Sequence, residues 1–438
     1  MESTVGIVDL GSYSIKAAIA RINNFEIEIL GFAEEKSKGI NKGNIVKAST
    51  ARTAVYKAIK QAESQAGGIQ PSYYYVLISN PHTKSSNERV SLEISPTPIE
   101  VEPEHLEKLK QAVKEKVSEE SYTIIHLIPR YYLLDGEKFY EPLEMIASKI
   151  EAEYHVIKLP LLTAKTVEKL LRSVGKKTKR ILFPPLMAAE GCLEEEEKEL
   201  NKLIIDLGHT TTSYVYYSEG SPYLSGVLPM GGADITLDIS THFQIPLAQA
   251  QQLKEEVGYA SPTVVENPDE EVVVKNREEK EISINIGELA AVIEARIGDI
   301  LATVLEEIYK KGVNIETDIE EIVLVGGGAN LKGLKEFLKE TIGLPVRKGI
   351  PYNVNSLYGE KLLNPTYAGL IGAARFLSNI WEEEEADNSP FKLSPPKKEE
   401  IPPEADAAIG QIMEEHKKSK DSFLKRLFIN LKNLFSGE

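Results

Sequence analysis

Three short runs of this sequence carry residues that could hold a phosphorylated ligand. The first is Ile7-Val8-Asp9-Leu10-Gly11-Ser12-Tyr13-Ser14-Ile15-Lys16. An apolar strand ends in an acid and a glycine, hydroxyl residues follow, and a second strand begins. A β-hairpin tip of this kind can fold around phosphate. Gly11 lets the backbone turn, and the tip amides, Tyr13 included, donate to phosphate oxygens together with the Ser12 and Ser14 hydroxyls. Lys16 could add positive charge. Asp9, at the strand end, could hold hydrated Mg²⁺, an ion that usually keeps several of its waters. An ordinary hairpin needs turn residues too, so this run does not stand alone.

The second run, Leu203-Ile204-Ile205-Asp206-Leu207-Gly208-His209-Thr210-Thr211-Thr212, repeats the same grammar. Gly208, His209, Thr210 and Thr211 would make the tip, and Asp206 the second carboxylate for the ion. Two such hairpins roughly 200 residues apart suggest a duplicated α/β domain with phosphate between the halves. The alternative is two unrelated strand–turn–strand units, which the shared Asp-Leu-Gly argues against. In the third run, Ile322-Val323-Leu324-Val325 leads into Gly326-Gly327-Gly328-Ala329-Asn330 and a helical pattern. Bare backbone at the glycines allows a base or ribose to lie against it. The spacing is not that of the dinucleotide fingerprint.

The elements that must position these runs alternate short β-rich stretches with helical patterns, as in an α/β protein. Strands are expected at 4–10, 14–21, 25–34, 73–79, 203–206, 212–217 and 321–325. Apolar positions recurring at three- and four-residue intervals predict helices at 50–65, 103–117, 162–174, 247–257, 286–310 and 331–341. The 438 residues suffice for two or more domains, and 42% hydrophobic with 27% charged residues is a globular composition. A net charge of −16 argues against general nucleic-acid binding. The lone Cys192 excludes an internal disulfide and a cysteine-ligated zinc site. The opening apolar run is short and interrupted by Asp9 and Gly11, and reads as a buried strand and not a secretory signal. With no run near the ~18 apolar residues that span a bilayer, a cytoplasmic protein is expected.

From Glu382 to about residue 420 the chain is rich in Glu, Lys and Pro, and reads as a flexible tether. Beyond it, Leu424, Leu427, Phe428, Leu431, Leu434 and Phe435 fall on one helical face, with Phe423 beside them and Lys425, Arg426 and Lys432 on the polar side. That is an amphipathic helix over 421–436, suited to an anionic membrane surface or to a groove on a protein. Each large apolar side chain gains at most roughly 1.5–3 kcal/mol on burial. Ordering costs roughly 1–2 kcal/mol per residue, so one helix alone would anchor weakly. Polymerisation would add avidity.

In their order, the two Asp-Leu-Gly hairpins and the Val-Gly-Gly-Gly loop resemble the superfamily of actin, the Hsp70 chaperones and sugar kinases. The small-residue runs 182–191 and 365–374 look like that superfamily's two connecting helices. Within it, the chain resembles the FtsA family of bacterial cell-division proteins. Gly39-Ile40-Asn41-Lys42-Gly43-Asn44-Ile45-Val46 is similar to a segment of that family, and Ile125–Gly136 to a strand and turn of its extra 1C subdomain. The tether and terminal helix match its membrane-targeting segment.

The resemblance implies an actin-like two-domain ATPase fold, built of duplicated ribonuclease-H-like domains with an inserted 1C subdomain. It places subdomain 1A at 1–83, 164–197 and 365–381, 1C at 84–163, 2A at 198–230 and 307–364, and 2B at 231–306. ATP and Mg²⁺ would bind, with Gln251 and Lys254 standing where relatives contact the nucleoside through a Glu-x-x-Lys pattern. The protein would form filaments and bring the tubulin-like FtsZ to the cytoplasmic face of the membrane at the division site. His209 and Thr210 replace two glycines common in the superfamily, and Gln251 replaces the acid. No general base stands out, so ATP binding with at most slow ATPase activity is expected. An actin-like pilus-assembly protein and a small-molecule kinase of the same fold are the alternatives, a chaperone-like ATPase a more distant one.

Overall fold

Runs such as Ile7-Val8 and Leu203-Ile204-Ile205 have no polar face, so they can be satisfied only with neighbours on both sides and cover above and below. In the computed structural model, which describes residues 3–23 and 26–379, both become interior strands with these side chains buried. Ser3–Leu10 lies between Ser14–Asn23, antiparallel, and Tyr73–Leu77, parallel. Glu26–Lys36 and Lys177–Leu182 extend that sheet on its two sides, and Asn355–Ser356 adds a short edge. Lys202–Leu207 lies likewise between antiparallel Thr212–Ser218 and parallel Glu321–Val325. Ser221–Leu228 and Val346–Lys348 complete the second sheet. Strand for strand, order and direction repeat, which is the duplication that the paired Asp-Leu-Gly runs imply.

Small residues set the packing between the helices Pro184–Cys192 and Ala368–Asn379. A Cβ on Gly372 would stand 1.6 Å from the Met187 carbonyl oxygen, and one on Gly191 would stand 2.4 Å from that of Ala368. The two backbones touch there, and a single methyl group would force them apart.

Between the strands Tyr73–Leu77 and Lys177–Leu182 the chain builds a further antiparallel sheet, in the order Glu137–Phe139, Tyr122–Leu134, Lys149–Pro160, Lys84–Glu93. The helix Pro103–Lys116, begun by a proline and a Glu102–His105 capping box, buries Leu109 and Val113 in a core with Tyr132, Ile150 and Tyr154. Its edge strand Lys84–Glu93 reaches the second sheet through side chains: Ser85 Oγ donates to the Ser225 carbonyl at 2.7 Å and Asn87 Nδ2 to that of Tyr223 at 3.0 Å. The buried His155 bridges Asn87 Oδ1 and Ser225 Oγ at 2.7 and 2.8 Å. His126, buried and kept neutral by burial and by nearby Arg180, which together push it down to about 3, accepts the Phe183 N–H.

Two compact units emerge. The first takes in the described chain up to Asp234, Asp318–Asn330, and the described chain from Val346 onward. The second comprises Ile235–Thr317 and Leu331–Pro345, with Leu247–Val257, the long Ile286–Lys310 and Leu334–Ile342 among its α-helices. The last helix begins three residues later than its periodicity suggests, because Gly333 before it takes a left-handed backbone, φ +68°. Among the described residues no helix is long and apolar enough to cross a membrane. The expected tether at 382–420 and amphipathic helix at 421–436 lie outside the described residues.

Candidate nucleotide site

Cross-strand register decides what faces each carboxylate. In the first hairpin Asp9 pairs with Lys16, and their side chains form an ion pair of 2.8 Å. Burial opposes the charge of Lys16, but Asp9 beside it, with Glu34 and Asp206 further off, holds its ammonium above the usual lysine range. In the second hairpin the same register puts Ser213 opposite Asp206. No lysine takes that place. Burial, reinforced by the negative charge of Asp9 and partly relieved by Lys16, pushes Asp206 up to about 7.

The glycine loop explains much of that burial. Gly326 adopts φ +80°, and a Cβ there would stand 2.2 Å from Asp206 Oδ1 and 2.8 Å from the Leu207 carbonyl oxygen. Only glycine permits this approach, which lays backbone against the carboxylate. Gly328 abuts Leu207 in the same way, while Gly327 is exposed. Asn330 is committed elsewhere. Its amide donates to Asn364 Oδ1 at 3.1 Å and Thr366 Oγ1 at 2.9 Å, tying the loop to the segment that starts the second connecting helix.

The tips meet. Gly11 and Gly208 repeat one geometry, each with the carbonyl of the residue three later, Ser14 or Thr211, where a Cβ would go. Ser12 Oγ accepts from the Thr210 N–H at 3.2 Å and from Thr210 Oγ1 at 2.8 Å, and the Tyr13 and His209 rings lie 5.3 Å apart. Carbonyls of Gly208 and His209 accept from Gly232 and Ala233, so the second tip also receives the start of the helix Gly232–His242. Thus Asp9, Gly11, Ser12, Tyr13, Ser14, Lys16, Asp206, Gly208, His209, Thr210, Thr211 and the glycine loop gather within the first unit.

Gln251 and Lys254 belong to the second unit and form a cluster there. Lys254 Nζ donates to Thr236 Oγ1 at 2.8 Å and Gln251 Oε1 at 3.2 Å, and burial pushes it down to about 8. Thr236 also donates to Gln251 at 2.5 Å. Sequence reasoning missed Thr236 and two contacts of the second hairpin. Lys42 N–H donates to Thr210 Oγ1 at 2.9 Å, and Ser79 Oγ meets Ser213 Oγ at 3.1 Å. The motif at 39–46 was visible, but nothing in it says which distant hydroxyl it serves.

Chemically, the first unit assembles hydroxyl and amide donors at two touching tips above two carboxylates that share one lysine. Among the described residues no group of three or more His, Cys, Asp or Glu is arranged for a metal. Two carboxylates, one of them pushed up to about 7 by burial and by the charge of the other, suit an ion that brings its own water, as Mg²⁺ does.

A family model described as "Cell division protein FtsA" matches residues 203–372, and one described as "SHS2 domain inserted in FTSA" matches residues 80–158. The chain is similar to "Cell division protein FtsA" of Borreliella burgdorferi, 29% identical over 370 residues that cover 83% of this chain and 88% of that one. It is 30% identical to the protein so named in Buchnera aphidicola subsp. Baizongia pistaciae, covering 78% and 82% of the two chains. Among solved structures, the "PilM-PilN type IV pilus biogenesis complex" superposes with a TM-score of 0.60 at 17% identity, covering 84% of this chain and 96% of that one. MreB5 of Spiroplasma citri bound to ADP does so with 0.53 at 13%, covering 88% and 99%. Those two likenesses show the fold, an actin-like one.

Proposed function

The chain belongs to the FtsA family of cell-division proteins, and on that premise we propose that it is an ATP-binding, filament-forming member that ties the FtsZ ring to the membrane. The observation that carries the nucleotide part is the convergence of the two hairpin tips above Asp9, Lys16 and Asp206. Tip amides and the Ser12 and Thr210 hydroxyls bond phosphate oxygens in place of one another, and Asp9 and Asp206 hold Mg²⁺ through water. The ion supplies positive charge against the phosphates. The glycine loop takes the nucleoside, with Gln251 and Lys254 as its further contacts. That the MreB5 structure holds ADP supports this reading.

In this assignment subdomain 1A comprises 1–83, 164–197 and 365–381, 1C is 84–163, 2A is 198–230 with 307–364, and 2B is 231–306. The segment 421–436 binds anionic membrane through Phe423, Leu424, Leu427, Phe428, Leu431, Leu434 and Phe435, with Lys425, Arg426 and Lys432 at the headgroups. The protein then acts at the cytoplasmic face of the membrane at the division site. Self-association supplies the avidity that one helix lacks.

Co-sedimentation with anionic liposomes tests this, with ATP, Mg²⁺ and FtsZ present and the full chain compared with one ending at Asp421. The full chain is expected to pellet and carry FtsZ with it, while the shortened chain leaves FtsZ in solution. Equal behaviour of the two chains would overturn the tether.

A further inference from the structure

The segment 39–46 has no role in the site described above, yet it touches that site. Ile40–Asn41 and Asn44–Ile45 pair as a miniature hairpin whose two-residue turn is Lys42-Gly43. Both turn residues have positive φ, +46° and +64°. That is the backbone of the tightest hairpin turn, for which Asn, Asp and Gly are the usual choices. A lysine in the first position is strained, and strain of this kind persists only where the surroundings hold it in place.

What holds it is on the page. At Gly43 a Cβ would stand 1.8 Å from the Ser79 carbonyl oxygen and 2.9 Å from the Asn80 Cα, so the turn lies backbone to backbone on Ser79-Asn80. Asn80, fully buried, donates its amide to the Gly43 carbonyl at 3.3 Å and to Asn44 Oδ1 at 3.0 Å. Its own Oδ1 is taken by the His82 N–H at 2.9 Å. Asn44 in turn donates to the Lys42 carbonyl at 3.1 Å. The product of these bonds is a fixed Lys42 N–H, aimed at Thr210 Oγ1.

A hydroxyl has one proton and two lone pairs. With a lone pair of Thr210 engaged by Lys42, its proton goes to the tip side, where Ser12 Oγ accepts it at 2.8 Å. We propose that the Lys42-Gly43 turn, clamped by Asn80 and Asn44, positions the Thr210 hydroxyl as a phosphate donor. Lys42, Asn44 and Asn80 are then positioning residues of the nucleotide site, acting through Thr210. Preorganised donors of this sort cost nothing to orient when the anion arrives. Asn80 opens the insertion that runs to residue 158, so the clamp also places the root of that insertion one hydrogen-bonded turn away from the phosphate donor.

This inference rests on the ATP reading, and the test separates the two. Fluorescent mant-ATP is titrated with Mg²⁺ into the full chain and into Asn44→Ala, Asn44→Asp and Asn80→Ala, and each melting temperature is recorded. Asn44 is exposed, so its variants are expected to fold and melt as the parent does. Losing one oriented hydrogen bond corresponds to about a five- to tenfold weaker affinity. That loss is expected for Asn44→Ala and Asn80→Ala. Asn44→Asp keeps an acceptor for Asn80 but loses the donor to the Lys42 carbonyl, and is expected to recover only part of the affinity. Unchanged affinity in Asn44→Ala overturns the positioning role while leaving the ATP site standing. A parent chain that binds no mant-ATP overturns both.

Discussion

The Asp9 and Asp206 hairpins have the same strand order, the same register and the same glycine contact, but differ in what faces the acid. Opposite Asp9 stands Lys16, and opposite Asp206 stands Ser213. The first carboxylate therefore has its counter-charge built in, with side chains 20% and 9% exposed for the acid and the base. The second sits against Gly326, and burial with the charge of Asp9 pushes it up to about 7. A repeated backbone thus does not mean a repeated charge balance. One hairpin carries its counter-charge within itself as folded, and the other leaves its carboxylate without a cross-strand cation.

The contrast is broken or kept by exchanging the two acids. Asp9→Ala leaves Lys16 buried without its closest partner, at an expected cost of about 2–4 kcal/mol in denaturant unfolding without ligand. Asp206→Asn removes a half-buried charge that its surroundings disfavour and is expected to leave stability unchanged or raised at pH 8, since it keeps the volume and a polar end. Equal losses in both would end the distinction.

A pH series sharpens it. Ordinary Asp titrates near 3.9 when unfolded, so between about pH 4 and 7 the folded chain holds a proton on Asp206 that the unfolded chain has lost. Its contribution to stability without Mg²⁺ accordingly falls as pH rises through that window, with a slope approaching ~1.4 kcal/mol per pH unit. Above pH 7 the contribution is flat. Asp206→Asn is expected to abolish this component of the pH dependence. Apparent Mg²⁺ affinity, which requires the ionised acid, should rise up to about tenfold per pH unit and level off above 7.

The smallest expected effect lies at the tips. Ser12→Ala removes the acceptor that joins the hairpins at Thr210, and should cost about 0.5–1.5 kcal/mol by the same unfolding assay. A larger loss would mean that the tips, and not the strands beneath, hold the hairpins in place.

Much of this was legible in the residues because the signals were local. The helices Leu247–Val257 and Ile286–Lys310 and the strand Glu321–Val325 run as their patterns predict. Apolar strands that end in Asp-Leu-Gly announced the two hairpins and hence the paired sheets. The strand Lys84–Glu93 gave no such sign. It is an edge strand of mostly polar, half-exposed residues, its backbone laddered on one side only, and it owes its conformation to Lys149–Pro160. Lys42 and Thr210 are 168 residues apart, and no periodicity links a turn amide to a hydroxyl at that distance. The raised titration of Asp206 was likewise out of reach. It depends on Gly326 closing over the carboxylate, whereas the glycine run by itself suggested only room for a flat ligand.

The bare contact of Gly191 with Gly372 has a mechanical meaning. Helices usually settle their crossing angle by seating ridges of side chains in grooves. Where main chain rests on main chain there are no teeth to engage. The contact between Pro184–Cys192 and Ala368–Asn379 sets how near the two helices come, 1.6 Å being all that a Gly372 methyl would have before the Met187 oxygen. At that point it is a bearing surface and not a gear.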